Sequence, residues 1–292
     1  MTPSRTHPAT RAAFLQAVVI AGLVAWLYYA IIFHLVRQWW IDPNFSHGFF
    51  VPLVSSFIIW QKRSHLQKIS PKPSFWGLPI IFSSLLLLVM GVFGAELFLS
   101  RVSLLVLLWG LMVFFVGWQF FRAVLFPWAL LIFMIPLPAL VMNEVTFPLQ
   151  LAASKVAAAV LPVAGVPVFR EGNIINIPAM PLEIAEACSG IRSLISLITL
   201  TVMYGYLFER RIWVRFLLAL AAAPIAVAAN SLRIIVAGIL VQYWGPPAGE
   251  GFFHLFSGWL IFVVSLVLIA GVHKLITIQL PKTGPSTTES SC

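Results

Sequence analysis

The chain has 292 residues, of which 61% are hydrophobic and 9% charged, and its mean hydropathy is +0.99. Soluble domains carry about 25% charged residues, so this composition excludes a water-soluble globular enzyme, a disordered protein and a coiled coil, and makes the bilayer the solvent. A net charge of +9 in such a chain reports basic loops rather than nucleic-acid binding, and no nucleic-acid partner is expected.

Taken in chain order, the apolar runs predict an all-α polytopic membrane protein of about eight transmembrane helices, over 12–36, 49–60, 76–93, 102–118, 124–141, 191–207, 216–240 and 255–276. Run 49–60 is short against the roughly 20 residues a span needs. The first run is too long for a signal-peptide core and has no small-residue exit, so no cleavable leader is expected. Placing the N-terminus inside puts 12 of 18 Lys and Arg residues inside and 7 of 9 acids outside. The positive-inside rule therefore favours an N-in, C-in topology. Residues 146–164 are apolar enough for another span, but counting them would invert the charge pattern of loop 208–215. They are read as a helix lying at the outer face.

From 166 to 187 the pattern changes. VPVFREGNIINIP places β-type residues around Glu171-Gly172-Asn173, a hairpin turn signal, and the following PLEIAEA alternates apolar and acidic residues. Residues 1–280 read as one integral membrane domain and the polar tail 281–292 as disordered. The two cysteines, Cys188 and Cys292, fall on opposite sides in this topology and are not expected to pair.

Three residues on consecutive helices could carry chemistry. Cys188 stands at a loop-to-helix junction, where the helix dipole favours thiolate, and Arg192 one turn on adds to that effect. The plainer reading is a small buried apolar side chain. Arg233 lies in an apolar helix about 10 Å below its outer end, with Asn230 at i−3 on the same face. Arginine in hydrocarbon costs at least ~2.5 kcal/mol, and it would otherwise snorkel to the headgroups. His254 opens the last span beside aromatic residues, where a belt histidine is the ordinary reading. Together, a thiol, a proton carrier and a fixed cation are the parts of acyl transfer: thiolate attack, proton movement and oxyanion stabilisation. Glu183, Glu186 and Asn230 could each orient the histidine. His47, in Ser46-His47-Gly48, is a weaker supporting residue that a helix-entry turn explains equally well. The six histidines are scattered without H-x-x-x-H or C-x-x-C spacing, so neither metal nor cofactor is expected.

These blocks together resemble a known family. Glu171-Gly172-Asn173, Ile177-Pro178, Glu186-Ala187-Cys188-Ser189-Gly190-Ile191, Asn230-Ser231-Leu232-Arg233-Ile234 and His254…Gly258 are similar to the exosortase/archaeosortase pattern. Trp40…Asp42…Ser46-His47-Gly48…Val51-Pro52 extends the similarity over about 40–275. The resemblance implies a polytopic enzyme of the bacterial inner membrane, a cysteine protease or transpeptidase with its site towards the periplasm. It implies Cys188 as nucleophile, His254 as general acid/base and Arg233 as oxyanion stabiliser. Its clients would be exported proteins bearing a C-terminal Pro-Glu-Pro motif, one membrane helix and a basic tail (PEP-CTERM-type signals). The acceptor is unknown, and many such systems accompany exopolysaccharide clusters. Two other classes compete: a transporter with Arg233 and Asn230 lining a polar path, and a membrane acyltransferase. Neither needs the thiol of Cys188.

Overall fold

The structure is a computed structural model that describes residues 8–42, 45–183, 190–245 and 252–278. The tail 281–292 lies outside the described residues. The chain forms two compact units, Met1–Pro136 and Leu137–Cys292.

The first unit contains α1 (Pro8–Ile41), a 3₁₀ turn (Ser46–Phe49), α2 (Phe50–Gln61), α3 (Arg63–Leu66), α4 (Gly77–Phe93), α5 (Leu97–Phe115) and α6 (Trp118–Leu130), which tightens into a 3₁₀ turn at Leu131–Met134. Helices α4 and α5 form a hairpin. Glu96 caps α5 by accepting from Phe98 N–H at 3.1 Å. Glycine lets the two backbones touch: a Cβ on Gly110 would lie 2.9 Å from the Ile81 nitrogen, and one on Gly91 would collide with Ser100. Small residues at such contacts are how apolar helices associate where lipid offers no hydrophobic drive. Tyr28, Leu88, Leu104 and Leu107 make the core of this unit. Ser103 Oγ donates to Ser100 O at 2.7 Å. Its one proton is thereby used, so Tyr28 donates to Ser103 Oγ at 3.0 Å.

The second unit begins at a break that run 124–141 does not anticipate. Ile135, preceding Pro136, is extended, and Pro138 stands before the first turn of α7 (Ala139–Val160). A residue ahead of proline is pushed out of the helical region, so the run divides. Helix α7 starts seven residues before 146 and continues through a 3₁₀ turn at Leu161–Ala164. The small sheet follows: β1 (Phe169–Glu171), β2 (Ile174–Asn176) and β3 (Pro181–Glu183), antiparallel in the order β1-β2-β3. The register pairs Glu171 with Ile174, which leaves Gly172-Asn173 as a two-residue loop. Gly172 takes φ +61, the positive value that tight hairpin turns require and that glycine adopts without strain. The expected hairpin is therefore present, with a third strand. Helices α8 (Gly190–Phe208), α9 (Ile212–Trp244) and α10 (Phe252–Ile278) complete the unit. Ala153, Ala157 and Leu161 of the α7 segment, Ile175 and Ile177 at the sheet, and Ile234 and Val241 of α9 form one apolar cluster. Leu194, Leu197, Ala222, Ala226 and Ile269 join α8, α9 and α10 in another.

By length and composition, four helices are able to cross a membrane among the described residues: Val18–Ile41, Leu97–Phe115, Ala139–Ala164 and Ile212–Trp244. Shorter apolar helices cover Gly77–Phe93, Trp118–Met134, Leu194–Phe208 and Phe262–Ile278. Segment 146–164, read from sequence as lying at the outer face, is thus part of a helix of spanning length. Its 26 residues carry only two charges, Glu144 and Lys155. The expected segment 49–60 is the 12-residue α2, about 18 Å long at 1.5 Å per residue.

Candidate functional site

Helix α9 carries the best-defined part of the site. It runs to Trp244, four residues past the end expected from sequence, so Arg233 lies about 16 Å below the helix end. Arg233 is 7% exposed. A side chain reaching for headgroups from an apolar helix would present its guanidinium outward. Here it is inside the unit, and its neighbour Ile234 packs into the cluster that joins α7, the sheet and α9. Ser231 is buried as well and returns its hydroxyl to Val227 O at 2.8 Å. Asn230, Ser231 and Arg233 therefore form a polar patch turned towards protein, while Leu232 between them faces outward.

Asn230 lines a small cavity with Thr146 and Gln150 of α7, Leu149, Leu194, Ala226 and Val227. Its volume is about 20 Å³, enough for one water given the ~10–15 Å³ minimum. Thr146 and Gln150 are both buried, and the Thr146 hydroxyl donates to Met142 O at 2.8 Å. The sequence reading did not single out Thr146 or Gln150. Their signal is present in hindsight: two polar side chains four residues apart on an apolar helix occupy one face, and in a membrane that face turns inward. Taking 146–164 as an interfacial helix hid it, because a polar face there would simply meet water.

The remaining sequence-predicted residues are placed as follows. Cys188 and Glu186 lie outside the described residues. Glu183 ends β3, Arg192 sits in the first turn of α8, and His254 in the first turn of α10. Helices α8 and α9 are joined by the three residues 209–211 and pack together, as do α9 and α10. Short connections make antiparallel neighbours. Hence the start of α8, the far end of α9 and the start of α10 belong to the same end of the unit, next in chain order to the sheet that leads into Cys188. His47 lies in the first unit, where its Nε2 donates to Phe133 O at 3.2 Å. Beside it, Gly48 abuts the Trp39 indole so closely that a Cβ would collide, and Trp39 Nε1 donates to Met134 O at 2.9 Å. There the Ser46-His47-Gly48 motif builds a helix junction.

A polar network at the opposite end of the same helices was also missed. Tyr204 OH and His273 Nδ1 are 2.9 Å apart, and His273 Nε2 donates to Glu209 Oε2 at 3.2 Å. Glu209 Oε1 accepts from the Arg210 and Arg211 backbone N–H groups at 2.8 Å each. Partial burial pushes the Glu209 carboxyl up, but the Arg211 amide, the His273 ring and the Arg210 amide outweigh it and hold the group below its ordinary value. Arg215 Nε donates to Glu209 O at 2.7 Å, and its guanidinium lies 4.7 Å from the Tyr206 ring centroid. The network ties α8, α9 and α10 together away from the candidate chemistry. Among the described residues, no three His, Cys, Asp or Glu side chains group closely enough to hold a metal ion.

Comparison with characterised proteins and with solved structures gives no match. A family model does match: transmembrane exosortase, over residues 39–271. That interval covers most of the chain and includes the hairpin, Cys188, the Asn230–Arg233 patch and His254. With its several apolar helices, the chain is a multi-pass membrane protein, and it belongs to the transmembrane exosortase family.

Proposed function

We propose that this protein is a membrane-embedded cysteine protease/transpeptidase that removes a C-terminal sorting signal from exported proteins at the outer face of the bacterial inner membrane. The signal is a short Pro-Glu-Pro motif followed by one membrane helix and a basic tail. The Cys188 thiolate attacks the scissile carbonyl. The Arg233 guanidinium stabilises the oxyanion of the tetrahedral intermediate. Collapse breaks the peptide bond, and His254 gives its proton to the departing amine. The thioester left on Cys188 is then opened by water or by an amine on a surface or exopolysaccharide acceptor, which regenerates the thiol. In this reading the chain crosses the membrane eight times with both ends in the cytoplasm.

One observation carries the reading beyond family membership: Arg233, the cation the mechanism needs, is 7% exposed deep in an apolar helix. A buried cation at that depth is costly and is kept where it has charge to meet.

The test is co-expression with a reporter that ends in a Pro-Glu-Pro motif, an apolar helix and a basic tail. Wild type is compared with Cys188→Ala, and the reporter C-terminus is read by intact mass. A shortened C-terminus seen only with Cys188 is expected, and the mass separates hydrolysis from transfer. Unprocessed reporter with wild type, repeated with every such signal in the host proteome, would reject the reading in favour of transport or acyl transfer without the thiol.

A further inference from the structure

Between Asp42 and Glu144 the sequence carries a single acid, Glu96. The same stretch carries Lys62, Arg63, Lys68, Lys72, Arg101 and Arg122. Glu96 caps the closed end of the α4–α5 hairpin, and the 17 residues of α4 put it about 25 Å from the open end. That separation exceeds the ~8 Å screening length at physiological salt. Glu96 is therefore too far away to offset the basic charge at the open end.

At that end the chain builds a concave surface. The segment after α3 folds back on the end of α5: Lys72 N–H donates to Val116 O at 2.9 Å, and Ser74 N–H to Val113 O at 3.2 Å. Lys62 Nζ donates to Ala123 O at 3.2 Å, which ties the end of α2 to α6. Gly117 takes φ +101, and the Lys72 carbonyl comes so close that any Cβ there would collide with it. The resulting open cavity measures about 600 Å³ and is lined by His65, Lys68, Ser70, Lys72, Gln119 and Arg122 among others. Three of these are permanent cations, and the rest add hydrogen-bond donors. No acid lines it, and these cations form no ion pair among the described residues.

We infer that this cavity binds a phosphate-bearing anion. Lysine ammonium groups supply point charge, and the arginine fork suits bidentate phosphate contacts. A basic peptide would be repelled. The surroundings favour a lipid headgroup as the source. Phe75 and Trp76, immediately beyond the loop, are 83% and 72% exposed, and Arg63 stacks on the exposed Trp60 at 4.3 Å. Exposed aromatics beside lysines and arginines mark the depth of headgroups, and basic pockets at that depth hold anionic lipids. A soluble phosphate or diphosphate offers the same chemistry, and the experiment separates the two.

Purified protein is released from mixed micelles of phosphatidylcholine and phosphatidylglycerol, and the retained lipid is measured by native mass spectrometry. Inorganic pyrophosphate is titrated separately by calorimetry. The variants are K68Q/K72Q/R122Q, the charge-keeping K68R/K72R, and R210Q/R211Q as a control for removing cations elsewhere. Each headgroup-level cation contributes about fivefold, so the triple variant should bind roughly a hundredfold more weakly. K68R/K72R and the control should retain binding. Retention of phosphatidylglycerol alone identifies a lipid headgroup, and saturable pyrophosphate binding identifies a soluble ligand. Both outcomes support a phosphate site. Preference for neither anion, equal binding by the triple variant at an unchanged melting temperature, or equal loss in the control overturns it.

Discussion

Asn230 on α9 and Gln150 on α7 line the same one-water cavity, three residues before the buried Arg233. If the guanidinium meets an oxyanion, Arg233→Ala should lower reporter processing roughly 10²–10³-fold, the cost of removing one such donor. Arg233→Lys should recover only part of it, since the planar fork is lost while the charge stays. Gln150→Leu should lower processing about tenfold by removing the polar group that faces the cavity beside Asn230. In a double-mutant cycle it should be non-additive with Asn230→Leu, because the two line one cavity. Full additivity would mean that the cavity does not link the two residues.

The Glu209 network predicts a pH dependence of stability. Its carboxyl is held below the ordinary value of 4.5. The stabilisation is therefore fully present above that pH and is lost as pH falls through the lowered native value. Glu209→Gln should cost about 1 kcal/mol near neutrality, and its melting temperature should converge on wild type as the pH drops below 4.5. A constant difference from pH 7 to 4 would remove the carboxylate from the explanation. Processing rates at neutral pH should change little, since the network lies at the far end of α8, α9 and α10.

Much of this was legible in the sequence, and what was missed has definite physical causes. Helix-length apolar runs fixed most of the helices, and Glu171-Gly172-Asn173 announced the hairpin because few residues accept the positive φ of its loop. Arg233 was legible because a cation in hydrocarbon is costly wherever it sits. The division of run 124–141 was missed because apolarity outweighed Pro136 and Pro138, although proline acts on its predecessor's backbone regardless of hydropathy. Gln150 was hidden by the interfacial reading of 146–164, and Tyr204 was missed because its value depends on His273, which faces it across the bundle. No periodicity within one helix reports that.

Tyr28, fully buried, is the donor to Ser103 Oγ. Tyr28→Phe leaves the ring in place and removes only that hydrogen bond. It should cost about 1 kcal/mol of stability, read as a lower melting temperature in detergent, with no change in reporter processing. Ser103→Ala should cost a similar amount by stranding the phenol, and the double variant should cost less than the sum. A neutral Tyr28→Phe would assign the anchoring of α1 to packing with Leu88 and Leu104 alone.

The last prediction concerns how the hairpin is held. Arg170 Nη1 donates to Gly172 O at 2.7 Å and to Ser154 Oγ at 3.2 Å. Ser154, buried on α7, reaches Leu151 O at 2.9 Å and Gly172 O at 3.1 Å. The carbonyl of the loop glycine is thus gripped from two sides, which fixes the turn against α7 while Ile175 anchors β2 in the core. The third strand, paired to β2, leads directly into the segment that carries Cys188. Arg170→Ala removes a charge-assisted donor worth roughly 1.5–3 kcal/mol, so amide exchange over 169–176 should quicken at least tenfold while α9 exchanges as before. If the sheet positions Cys188, processing should fall several-fold in the same variant, and Arg170→Lys should restore both in part. Faster exchange with undiminished processing would separate the sheet from the chemistry, and unchanged exchange would show that packing around Ile175 holds the turn without Arg170.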